Sequence, residues 1–85
     1  MPYYVINVEN TNITIIITNE TEAIQIYDKL VDMFPNCGCF HYSTWKEEDP
    51  EGYDPNCSIE DFAAVCITVF KYNTLAEALE DIKEG

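Results

Sequence analysis

The residues best suited to chemistry lie close together. Cys37, Cys39 and His41 follow one another at alternate positions, and Cys57 comes later in the same stretch. Thiolates and a neutral imidazole are the ligands of structural zinc, which takes four in a tetrahedron. Side chains two apart on a strand share a face, so Cys39 and His41 could reach one ion, with Cys57 arriving from a loop. The spacing argues against this, because the usual two-to-four residue gap of a zinc knuckle is missing and the chain has a single histidine. Cys37, Cys39, His41 and Cys57 stand as an alternative metal set, and the sequence implies no cofactor. A disulfide joining Cys57 to Cys37 or Cys39 would clasp the intervening segment in an oxidising setting. The N-terminus lacks the basic start and apolar stretch of a leader, so the expected setting is a reducing cytoplasm with free thiols.

No catalytic residue is assigned. A nucleophilic cysteine needs a base within hydrogen-bond reach, and residues two apart on a strand stand roughly 7 Å apart. The three glycines are isolated, so there is no phosphate-cradling loop. Glu47, Asp49, Glu51 and Gly52 match the start of a calcium loop. Its twelfth position falls on Ser58 rather than a glutamate, and two prolines interrupt it. The chain reads as a non-enzyme.

Charge is the dominant signal. Sixteen acids face four lysines with no arginine, for a net charge of −12. Such a field repels nucleic acid and anionic membrane and favours a basic protein partner. From Glu47 to Asp61 there are seven acids and no lysine: Glu47, Glu48, Asp49, Glu51, Asp54, Glu60 and Asp61. Glu77, Glu80, Asp81 and Glu84 add a ladder four residues apart on a helix, where neighbours stand about 5–6 Å from one another. Phosphates along a nucleic-acid strand have a comparable spacing. A rigid acidic face can therefore occupy a groove lined for nucleic acid, with Trp45 and Tyr53 as aromatic anchors.

In size, acidity and lack of a catalytic motif the chain resembles the small phage and mobile-element inhibitors of host nucleases, of the anti-CRISPR and anti-restriction type. That resemblance implies a partner that is a basic, nucleic-acid-binding host nuclease. It also implies action in the host cytoplasm, with no direct contact to nucleic acid or membrane. It rests on no shared motif and transfers no residue roles.

The elements that position these groups follow from pattern. One domain spans residues 1–85. Tyr3–Glu9 and Ile13–Thr18 read as a hairpin around Asn10-Thr11-Asn12. Asn19 caps a helix whose stripe is Ala23, Ile26, Tyr27, Leu30, Val31 and Phe34, and Pro35 and Gly38 stop it. The half from residue 36 onward repeats the plan. Cys39–Lys46 and Ala63–Tyr72 are strands around an acidic loop at 47–58, and Asn73 or Thr74 caps a helix from Leu75 to Lys83. The expected fold is α+β: a four-stranded, mostly antiparallel sheet with two helices on one face, in a ββα–ββα pseudo-repeat. Alternation sends Ile13, Ile15, Ile17, Tyr4, Ile6, Val8, Val65, Ile67 and Val69 toward the helices. The other face would carry Tyr3, Val5, Thr14, Ile16, His41, Trp45, Phe70 and Tyr72. An uncovered face this apolar suggests a contact surface, for a partner or for a homodimer, the alternative being that the loop from Glu47 to Ser58 folds over it.

Overall fold

Aromatic and β-branched residues make Tyr3–Val8 a strand, β1, and Thr14–Ile17 folds back on it as β2. These and the elements below come from a computed structural model that describes residues 2–84. Ile6 faces Ile15 and Asn7 faces Thr14 across the antiparallel pair. Asn10 turns the hairpin with φ +64°, the left-handed conformation that asparagine tolerates. Thr11 secures the turn by donating its hydroxyl to the Val8 carbonyl at 2.8 Å.

The first long helix, α1 (Glu20–Met33), begins where the sequence places it. The Asn19 side chain accepts the Glu22 N–H at 3.1 Å. Ala23, Tyr27, Leu30 and Val31 are buried along one stripe, with Ile26 and Phe34 packed beside them. A short 3₁₀ turn, Pro35–Cys37, follows and ends at Gly38 with φ +69°. Then come α2 (Trp45–Glu48), α3 (Ile59–Phe62), β3 (Ile67–Tyr72) and α4 (Leu75–Glu84). Thr74 accepts the Glu77 N–H at 3.2 Å and so caps α4.

The fold is α+β, but the sheet has three antiparallel strands in the order β2-β1-β3. The expected strand over Cys39–Lys46 is replaced by coil, a turn and the start of α2. Carboxylates satisfy its backbone instead of a neighbouring strand. Asp28 takes the Tyr42 N–H at 2.7 Å, and Glu48 takes the His41 N–H at 3.3 Å. The third strand begins only at Ile67, because Ala64 to Cys66 bends back, and Val65 is exposed rather than core. The expected pseudo-repeat is therefore absent.

The helices are also not on one side. Tyr4, Ile6, Val8, Ile67 and Val69 pack against α1 and α3 in the main core. The opposite face carries Tyr3, Val5, Phe70 and Tyr72, which pair directly across β1 and β3. Here α4 covers β1 and β3, leaving Val5 and Ala78 wholly buried. An amphipathic stripe shows that a helix packs on a sheet but not on which face. His41 and Trp45, expected on this second face, lie outside the sheet altogether. Among the described residues no helix is long and apolar enough to cross a membrane.

Candidate acidic recognition surface

The acidic segment is held by two sets of contacts that the sequence does not announce. The first is a carboxylate staple. Asp28 of α1 accepts the Tyr42 N–H at 2.7 Å through one oxygen and the Ser43 hydroxyl through the other. Replacing Asp28 with alanine is expected to cost about 1–3 kcal/mol, because a half-buried N–H loses its acceptor. Urea unfolding should show the loss, and Asp28→Asn, which keeps one acceptor, should fall between the two.

The second is an aromatic cluster. Trp45 is 9% exposed and lies with its ring 4.5 Å from Phe62 and 5.4 Å from Tyr53, centre to centre. Tyr42 meets Phe62 edge-on at 5.2 Å, and its hydroxyl donates to the Cys57 carbonyl at 2.5 Å. Phe62 in turn packs on Tyr27 of α1. The indole N–H reaches Asp49 at 3.4 Å, and Asp49 also accepts the Gly52 N–H at 3.2 Å. A side chain at position 52 would push that carboxylate out of its present position.

These contacts divide the predicted partner-binding residues. Trp45, Glu48 and Asp49 are engaged within the fold. Glu47, Glu51, Asp54 and Asp61 are exposed, although Asp54 takes the Asn56 N–H and Asp61 the Ser58 hydroxyl. Tyr53 backs onto Trp45 with 36% of its surface exposed. Glu60 is half-buried, with one carboxylate oxygen enclosed and unpartnered. A crevice of about 290 Å³ between α2 and the Tyr53–Pro55 turn is lined by Tyr42, Lys46, Glu47, Tyr53 and Asp54.

The acids of α4 belong to the other side of the sheet. Glu77, Glu80 and Asp81 line an open groove of about 450 Å³ with Tyr72. Burial and then a hydrogen bond to Asp81 push the Tyr72 phenol above its ordinary pKa. The side chain of Glu84 lies outside the described residues. One flat partner surface cannot meet both groups, because the sheet separates them.

The candidate metal ligands do not converge. Among the described residues no three His, Cys, Asp or Glu side chains are placed to hold one ion. His41 turns its two nitrogens to two carboxylates, Asp32 at 2.7 Å and Glu48 at 3.0 Å. All four cysteines are free thiols. The neighbour that Cys37 finds is Cys66, not Cys57. Cys37, together with burial, raises the Cys66 thiol to about 11. Burial also raises Cys57, with Asp61 and Asp54 adding to the effect. Thiols held above their ordinary value carry little thiolate at neutral pH, which suits a structural more than a nucleophilic role. Compared with protein-family models, with curated proteins and with solved structures, the chain matches none, so its function has to be argued from its own residues.

Proposed function

We propose that the protein is a non-enzymatic inhibitor that presents the 47–61 segment to the nucleic-acid cleft of a basic host nuclease. In this reading it is a phage or mobile-element protein of the anti-CRISPR type, acting in the host cytoplasm by charge mimicry. One observation carries it: the acidic surface is uncompensated. Among the described residues the only ion pairs are those of His41 with Asp32 and Glu48, and no lysine reaches a carboxylate. Exposed Glu47, Glu51, Asp54 and Asp61 therefore make no ion pair within the fold, although Lys46 lines the crevice beside Glu47 and Asp54. A dense anionic surface without its own cations favours cations from a partner, which also speeds encounter. Tyr42 and Tyr53 flank a crevice able to take a guanidinium or ammonium group beside Glu47 and Asp54.

The test is competition on purified RNA-guided and restriction nucleases. The protein should displace labelled nucleic acid and stop cleavage, and its affinity should fall steeply as salt rises. Failure to displace from any of them, or affinity indifferent to salt, would remove the proposal. The same salt series separates a second reading, a dimer or partner contact through apolar residues. Phe70, Leu75 and Leu79 are 46%, 45% and 50% exposed on the α4 side, and an apolar contact there would survive salt.

A further inference from the structure

His41 sits at the junction of α1 and α2, and the recognition surface does not use it. Its Nε2 stands 2.7 Å from Asp32 Oδ1. Its Nδ1 stands 3.0 Å from one oxygen of Glu48 and 3.3 Å from the other. A neutral imidazole has one N–H and one lone pair. In that form, one ring nitrogen would point a lone pair at a carboxylate oxygen within bonding distance. Only the doubly protonated ring can donate to both. The other charged groups nearby do not alter this. Asp28 is occupied by Tyr42 and Ser43, while Lys29, Lys46 and Glu47 are exposed.

We infer that His41 is a proton-operated latch: as an imidazolium it ties α2, and with it the start of the acidic segment, to α1, and on deprotonation one of its two ties opens. Thr44 completes the device by donating its hydroxyl to Glu48, and the His41 N–H donates to the same carboxylate at 3.3 Å. Losing the imidazolium leaves Glu48 facing Asp32 without the cation between them. The approach to α2 then relies more on the Asp28 staple and the Trp45 cluster.

The protonation energetics agree with the geometry. The hydrogen bond to Asp32, and then that to Glu48, hold the His41 pKa above its ordinary value in spite of some burial. The Thr44 hydroxyl, and then His41, hold Glu48 below the usual glutamate range. A raised histidine contributes stability that is complete below the unfolded value, about 6.5, and is lost as pH rises through the native one. A depressed glutamate contributes stability above its unfolded value that is lost as pH falls through the native one. The latch is therefore closed at mildly acidic pH and opens as pH rises through the native His41 value, which lies above the ordinary one.

The latch itself needs no partner, and only its effect on recognition rests on the function proposed above. The test is an NMR titration of the full chain that follows the His41 ring and backbone amides. The ring should titrate above the ordinary histidine value, and Asp32→Asn and Glu48→Gln should each bring it down. Across the same midpoint, the exchange of the His41 amide should rise roughly five- to tenfold beyond its intrinsic pH dependence, the scale of one net hydrogen bond. Amides of β1 should show no such step. A wild-type ring that titrates at or below the ordinary value, or exchange without a step, overturns the latch whether or not the variants fold. A raised titration with its exchange step, in a protein that binds no nuclease, would leave the latch standing and remove the inhibitor.

Discussion

Replacing Trp45 with alanine should lower the unfolding free energy by about 3–5 kcal/mol, the usual cost of emptying a buried aromatic site. The effect is large because the indole is the joint of the whole acidic segment. It touches Phe62 of α3, Tyr53 beyond α2 and, through its N–H, Asp49. Small domains hold only about 5–15 kcal/mol in total, so the variant should be near unfolding at physiological temperature. Urea titration followed by circular dichroism would measure it, since the chain's single tryptophan is lost as a fluorescent probe. Trp45→Phe should cost less, because it keeps a ring against Phe62. An unchanged urea midpoint for Trp45→Ala would mean that the indole is not packed and would return it to the role of an exposed anchor.

Reversing Glu47 and Glu51 to lysine should weaken nuclease inhibition by about a hundredfold or more, since like charges brought together across an interface cost several kcal/mol. Both side chains are exposed and make no hydrogen bond within the fold, so the unfolding midpoint should hold or rise slightly. The two reversals change the net charge by four, from −12 to −8. Glu80→Lys, a charge change of two, is the control for each single reversal, because Glu80 lies on the α4 side of the sheet. Its effect should be confined to a few-fold change from the general field. A loss from Glu80→Lys equal to that from Glu47→Lys alone would show that net charge, and not the 47–61 surface, does the work.

What could be read from the letters was local. The hairpin, the Asn19 cap, the α1 stripe and the Thr74 cap each follow from residues within a turn or two of one another. Two misreadings concern distance. CFHYSTWK has the aromatic and β-branched content of a strand, but its fate is decided by Asp28, fourteen residues before Tyr42, and by Phe62 further on. The placement of α4 was equally hidden, because its apolar stripe fits either sheet face. The acidity of the 47–61 segment was plain in the sequence. Which acids are spent inside the fold was not, since Glu48 and Asp49 read the same as Glu47 and Glu51 until their partners are known. The spacing of His41 with Cys37 and Cys39 reads as a metal set, and nothing in it reveals that Asp32 of α1 and Glu48 of α2 take the two ring nitrogens.

The sheet also sets when the chain can fold. Its middle strand, β1, pairs on one flank with β3, from Tyr3 with Tyr72 to Val8 with Ile67. Nearly the whole chain must exist before that ladder can close. A lone hairpin is marginal in water, so β1 and β2 have little to hold them while the acidic middle of the chain is being made. At ribosomal rates of roughly 5–20 residues per second, the wait for β3 is several seconds, during which Tyr4, Ile6 and Val8 stay uncovered. Mutual repulsion between the crowded carboxylates of nascent copies opposes pairing of those exposed strands until the last segments arrive.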